Sequence, residues 1–163
     1  MVAQSLNKSW ILQHFFCTHI FLTPPHRTLG TSNTKIILVE TSHPGNIGSA
    51  ARAMKTMRFS NLNLVNPKCK VNEISYAMAS NAGDVLDNVK IYENLFDAIG
   101  DCNYIIGATA RQRDIPIEII NPREVAKKVN TKSHKKTAIV LGNEARGLTN
   151  EQLSMCTIGL HIP

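Results

Sequence analysis

The sequence predicts an α/β domain with a mainly parallel sheet and flanking helices. Short, apolar, β-rich runs recur from Lys35 onward, and stretches with helical spacing lie between them. The composition agrees: 163 residues with 43% hydrophobic and 18% charged side chains can build one globular core, which excludes disordered and fibrous classes.

The predicted strands are Ile36–Val39, Leu62–Val65, Val89–Tyr92, Tyr104–Ile106 and Ala138–Leu141. Each is mostly apolar rather than alternating, the pattern of a strand covered on both faces. Ile47, Ala50, Ala51, Met54 and Met57 recur at helical spacing and mark the first helix. Further helices are predicted around Ile74–Asn81, Leu95–Ile99, Arg123–Val129 and Asn150–Met155. Ligands of such sheets sit beyond the carboxyl ends of the strands, so the loops Glu40–Asn46, Gly107–Arg113 and Gly142–Gly147 are where chemistry is expected.

The first 33 residues differ from the rest, with no acidic residue, three of the six histidines and the only tryptophan. Their apolar run from Trp10 to Leu22 is interrupted by Gln13, His14 and His19, no A-x-A-like cleavage site follows, and the run is too short to span a bilayer. A loose, poorly ordered extension, or translated sequence upstream of a start near Lys35, is the expectation, with the folded domain covering 34–163. The 18 Lys and Arg against 12 Asp and Glu give a net charge of +6, which favours a polyanionic partner. Cys17, Cys69, Cys102 and Cys156 form no CxxC and no metal-ligand spacing with histidine, so reduced thiols in a cytoplasmic protein without a metal or a membrane anchor are expected.

Two segments carry candidate chemistry. In the first, Glu40-Thr-Ser-His-Pro-Gly-Asn-Ile-Gly-Ser-Ala-Ala-Arg52, Pro44-Gly45 supplies a turn and Asn46 is the expected N-cap. Gly48 and Ser49 allow another backbone to approach, and Arg52, on the second turn and off the apolar stripe, is placed to reach a phosphate or ribose at the loop face. Taken alone, this segment also reads as a plain helix cap followed by a solvated arginine. The second, Ala138-Ile-Val-Leu-Gly-Asn-Glu-Ala-Arg-Gly-Leu-Thr149, is near the phosphate-cradling G-x-x-x-x-G-K-[ST] pattern. Leu148 replaces the phosphate-neutralising lysine, and Glu144 adds a negative charge that would repel a triphosphate. A nucleoside that lacks phosphates and bears a positive charge is tolerated better. A dinucleotide site fails as well, since no G-x-G-x-x-G follows the first strand and the second ends at Val65-Asn-Pro67 instead of an acidic residue. Gly107-Ala-Thr-Ala-Arg-Gln-Arg113 combines small residues, which permit close packing of an adenosine, with two arginines suited to RNA phosphates; it also reads as an ordinary strand-to-loop junction. The basic run of Lys127, Lys128, Lys132, Lys135 and Lys136 reads first as a solvated loop and second as an RNA-facing patch.

In order, Asn46-x-Gly48-x-x-x-Arg52, Gly142-Asn-Glu-x-x-Gly147-Leu148 and His161-Ile-Pro163 resemble the first two motifs and the opening of the third in the SpoU/TrmH branch of the SPOUT RNA methyltransferases. Within that branch, Leu38-Val-Glu-Thr-Ser-His43, Ala53-Met-Lys-Thr-Met57, Leu64-Val-Asn-Pro67, Asn121-Pro-Arg-Glu124 and Gly147-Leu-Thr-Asn-Glu151 are similar to a group that methylates the ribose 2′-hydroxyl of cytidine or uridine at position 32 of tRNA. The resemblance runs from Lys35 to Pro163. It implies a trefoil-knotted α/β domain, S-adenosyl-L-methionine as cofactor, tRNA as substrate and a homodimer. It further implies that Ala108, Thr109 and Ala110 line the adenosine, that Gly142 and Ile162 supply further backbone contacts, and that Arg52 is catalytic. Because a guanidinium stays protonated, Arg52 is expected to orient the hydroxyl or a neighbouring phosphate and stabilise oxyanion charge instead of acting as a base.

The 163 residues stop inside the third motif, so the expectation is an incomplete knot, weak cofactor binding, no activity for this stretch alone, and partly uncovered apolar surface around Ile139–Leu141 and Ile158–Ile162. The competing reading is a catalytically inactive RNA-binding or dimerisation fragment of such an enzyme. A nucleoside-triphosphate or dinucleotide domain is disfavoured by Leu148, Glu144 and the missing acidic ribose ligand. Deleting residues 1–33 is predicted to leave the midpoint of thermal unfolding nearly unchanged; a large drop would show that the Trp10–Leu22 run packs on the domain.

Overall fold

A computed structural model of the chain describes residues 31–109, 116–131 and 136–161. A short 3-10 turn, Thr31–Asn33, leads into the first strand, so regular structure already includes residues before the expected boundary. The strands are β1 (Thr34–Val39), β2 (Asn61–Val65), β3 (Lys90–Tyr92), β4 (Tyr104–Thr109), β5 (Ile119–Ile120), β6 (Thr137–Leu141) and β7 (Ile158–His161). The helices are α1 (Pro44–Thr56), α2 (Glu73–Ala79), α3 (Gly83–Asp87), α4 (Leu95–Ile99), α5 (Pro122–Thr131) and α6 (Asn150–Ser154).

All seven strands form one parallel sheet in the order β3-β2-β1-β6-β4-β7-β5. The apolar strand runs explain why: successive side chains point to opposite faces, and both faces are covered. Ile36 and Leu38 of β1 enter one core with Ile47, Ala50 and Met54 of α1, while Ile37 and Val39 enter the other with Leu95, Ala98 and Leu153. Every one of these side chains is buried.

The five expected strands and five expected helices are all present, with ends shifted by a few residues. Two strands and one helix have no counterpart in the sequence reading. β5 has two residues, too few for a pattern, and β7 reads Ile-Gly-Leu-His, where the glycine interrupts the apolar run. Gly159 fits there closely, since a Cβ would lie 3.0 Å from Ile119 Cγ1 of β5 and press on that side chain. β4 continues to Thr109, three residues past its predicted end, so Gly107–Thr109 is strand and not loop. The expectation of uncovered apolar surface is corrected by these pairings. β7 lies between β4 and β5, and Ile139, Leu141, Ile158 and Leu160 are all buried within the sheet and its helical cover.

Gly107 also has a different purpose from the one expected. A Cβ there would sit 2.7 Å from Cys156 Sγ and 2.9 Å from Leu153 Cδ2, so its smallness admits the Leu153–Cys156 turn and not a ligand. Burial drives the Cys156 thiol up to about 12, and burial likewise raises Cys102 to about 11. Together with Cys69 they are free thiols, and Cys17 lies outside the described residues.

The tightest contact between helices is α1 against α2. Gly48 faces the backbone of Ser75, whose hydroxyl donates to Pro44 O at 3.0 Å. A Cβ at position 48 would fall 2.0 Å from Ser75 O and 2.9 Å from Met78 Cβ, so only glycine lets the helices meet. Gly48→Ala is therefore predicted to destabilise the domain by about 1–3 kcal/mol, seen as a lower denaturation midpoint without a change in slope. An unchanged midpoint would show that α2 can shift away without cost.

Candidate active site

The carboxyl ends of β1, β6, β4 and β7 lie side by side, because Leu38 pairs with Leu141, Val140 with Gly107, and Thr109 with His161. Candidate cofactor residues from distant parts of the chain thereby meet on one rim. Ala108 and Thr109 end β4, flanked by Gly142 after β6 and by Leu160–His161 of β7. Ala110, Arg111, Arg113 and Ile162 lie outside the described residues, as do Lys132 and Lys135 of the basic run.

The loop after β6 is closed by its own polar groups. Asn143 Oδ1 accepts from the amides of Ala145 (2.9 Å) and Arg146 (3.3 Å), and Gly147 N donates to Asn143 O at 2.8 Å. Gly147 has a φ of 71°, which suits glycine, and a Cβ on Gly142 would lie 2.1 Å from Gly147 C. Leu148 is only 1% exposed and packs in the core with Leu153. It therefore continues the hydrophobic interior where a phosphate-binding loop would present a lysine. Thr149 and Gln152 then form a reciprocal cap on α6, with Gln152 N donating to Thr149 Oγ1 at 3.2 Å and Thr149 N to Gln152 Oε1 at 2.9 Å.

Asn46 is not the N-cap. Helix α1 begins at Pro44, whose missing N–H costs nothing in a first turn, and His43 caps it by accepting from Gly45 N on Nδ1 at 3.1 Å. Asn46 is thus inside the first turn, and its side chain turns to the second motif, with Nδ2 donating to Glu144 Oε1 at 3.0 Å. Glu144 Oε2 accepts from both the backbone N (3.2 Å) and the hydroxyl (3.0 Å) of Ser42. The carboxylate expected to repel a triphosphate also clamps the two motif loops together.

The earlier helix start also moves Arg52 to the third turn. It is exposed, eight residues beyond Pro44 and about 12 Å along the axis, and its guanidinium has no partner among the described residues. No hydrogen bond or ion pair among the described residues joins Arg52 to the 142–148 loop.

A second carboxylate, Glu40, has no role in the sequence reading. It follows β1 in a left-handed conformation (φ 48°), its amide donates to Val65 O at 2.8 Å, and its carbonyl accepts from Asn143 Nδ2 at 2.8 Å. Its side chain accepts from Asn66 Nδ2 at 3.3 Å and pairs with Arg146 at 3.2 Å. The one local signal for Glu40 is a charge placed directly after an apolar strand; its partner Arg146 is 106 residues away.

Residues 33–163 match the SpoU rRNA Methylase family. The chain belongs to that family. It is 46% identical over 125 residues to the tRNA (cytidine/uridine-2′-O-)-methyltransferase TrmJ of Cronobacter sakazakii, covering 76% of the chain and 51% of that protein. The crystal structure of TrmJ from Z. mobilis ZM4 superposes with a TM-score of 0.76 at 27% identity, covering 80% of the chain and 58% of that one. The SpoU methyltransferase AviRb from Streptomyces viridochromogenes, solved in complex with the cofactor AdoMet, shares the fold with a TM-score of 0.56 at 16% identity, covering 86% of the chain and 50% of AviRb. The chain spans about half the length of the curated relatives it matches.

Within this SpoU family member, Asn46 and Glu144 join the first motif to the second. Among the described residues no group of histidine, cysteine or acidic side chains is placed to hold a metal ion, and no helix is long and apolar enough to cross a membrane. Glu144→Ala is predicted to destabilise the domain by about 0.5–1.5 kcal/mol, because the Asn46 and Ser42 donors exchange their acceptor for water. Glu144→Gln, which keeps one acceptor oxygen, should lose less; equal stability of Glu144→Ala and the parent would show that the clamp contributes nothing.

Proposed function

We propose that the chain carries the catalytic domain of an S-adenosyl-L-methionine-dependent tRNA 2′-O-ribose methyltransferase. The ribose of cytidine or uridine at position 32 in the anticodon loop is the proposed acceptor. The observation that supports this best is the sealed loop after β6 in a SpoU family member: Leu148 is buried and Glu144 is engaged by Ser42 and Asn46, so no phosphate cradle exists. A nucleoside with a cationic sulfonium suits such a rim.

The residues present fit this cofactor. His161 Nδ1 is buried without a hydrogen-bond partner, and it ends β7 beside Thr109, where a ligand's polar atom would satisfy it. Ala108, Thr109 and Gly142 would hold the adenosine through backbone and small side-chain contacts, joined by Ala110 and Ile162. When bound, S-adenosylmethionine supplies a methyl group activated by its sulfonium. The Arg52 guanidinium orients the ribose 2′-hydroxyl or the adjacent phosphate and stabilises the developing oxyanion. Alignment of that hydroxyl with the methyl group provides the rest of the rate gain.

The exposed Ile74, Tyr76 and Met78 on α2 beside α1 support a homodimer in which this face meets a second copy. A cytoplasmic location follows from a tRNA substrate.

Calorimetry with S-adenosylmethionine, S-adenosylhomocysteine and ATP, followed by labelled-methyl transfer to unmodified tRNA, tests the reading on a full-length version of the protein. Saturable ATP binding at micromolar concentrations would overturn it. In the same version Arg52→Ala is predicted to abolish methyl transfer while cofactor affinity stays within about twofold, and Arg52→Lys should fail too, because an ammonium lacks the planar fork. Weakened cofactor binding with normal turnover at saturation would show that Arg52 belongs to the adenosine pocket.

A further inference from the structure

We infer that Arg146 and Lys68 form a phosphodiester-binding pair for the RNA backbone, positioned by Glu40; this rests on the RNA methyltransferase reading above. Arg146 Nη2 donates to Glu40 Oε2 at 3.2 Å, and Lys68 Nζ stands 3.8 Å from Glu40 Oε1. The two cations remain largely in solvent, with side chains 75% and 50% exposed, while Glu40 beneath them is 23% exposed. One carboxylate shared by two cations leaves a net positive charge at this point of the rim, and Lys70 is exposed two residues beyond Lys68.

The mount is rigid where the cations are not. Glu40 is held through its own amide by β2 and through its carbonyl by Asn143, and Lys68 N donates to Thr41 O at 2.9 Å. Three strand ends therefore fix the carboxylate that both cations share, while most of each cation's surface stays open to solvent. Exposed ion pairs contribute little to stability, so a purely structural role is a weak account of this arrangement. A guanidinium carries five N–H donors in a planar fork, and those not facing Glu40 can donate to phosphate oxygens in bidentate geometry. Lys68 complements it as a mobile point charge. The pair stands at the same end of the sheet as Ala108, Thr109 and Gly142, so a phosphate held there keeps neighbouring ribose units at the proposed site.

The test is fluorescence anisotropy of labelled, unmodified tRNA with the 163-residue chain across a range of salt concentrations. The variants are Arg146→Gln, Lys68→Gln, the double variant and Arg146→Lys. Removing one phosphate-binding cation should lower the slope of log affinity against log salt by about 0.9, so the double variant is expected to lose about 1.8 and to bind roughly tenfold or more weakly at low salt. Arg146→Lys should keep its slope, since it keeps the charge. A diminished slope in Arg146→Lys as well would indicate collapse of the loop and overturn the pair. A double variant with parental slope and affinity would overturn the pair while leaving the methyltransferase reading intact. Absence of tRNA binding by the parent chain would overturn the pair. An altered slope together with no methyl transfer by the full-length version would sustain the pair and overturn the catalytic reading alone.

Discussion

The parallel pairing of β1 with β6 sets Thr34 against Thr137 and Leu38 against Leu141, and through that register it sets the 40–46 loop beside the 142–148 loop. Neither loop contains a complete site. Their adjacency lets Glu144 accept from Ser42 and Asn46 and lets Asn143 donate to the Glu40 carbonyl. β6 also lies between β1 and β4, so the same pairing positions Ala108 and Thr109 on the rim. Moving β6 by one residue would turn Ile139 and Leu141 to the opposite face and take both loops out of reach.

Two carboxylates organise this end of the sheet in different ways. Glu144 is a clamp whose oxygens are engaged by neutral donors from the first motif, which holds the start of α1 against the second motif. Glu40 is a mount, with its backbone bonded to β2 and Asn143 and its side chain facing cations at the surface. The clamp keeps its negative charge because all its donors are neutral, which suits a rim that receives a cationic nucleoside, and the cationic mount suits one that meets a polyanion. Both effects arise from residues bound to the protein itself, so the arrangement is preorganised before any ligand arrives.

Glycines show how small residues can mislead in a sequence. Gly107 suggests space for an adenosine, yet that space is filled by Leu153 and Cys156. Gly48 suggests a point of close backbone approach, and the backbone of α2 occupies it. In both cases the residue type signals that something comes close, but only packing identifies the neighbour. The same limit applies to Asn46. Its amide suits a cap, but Pro44 starts the helix earlier and leaves that amide free to reach Glu144.

The sequence by itself determined the parallel α/β class, the main strands and helices, the two motif loops and the exclusion of a phosphate cradle. These depend on local apolar runs, helical spacing and the chemistry of single positions such as Leu148, all of which are written in consecutive residues. Tertiary structure alone decided that Ile158–His161 becomes a buried strand, that Ser42 and Asn46 meet Glu144, and that Glu40 meets Arg146. Each of these follows from which strands become neighbours, and strand order is a property of contacts across about a hundred residues of chain that no local pattern records.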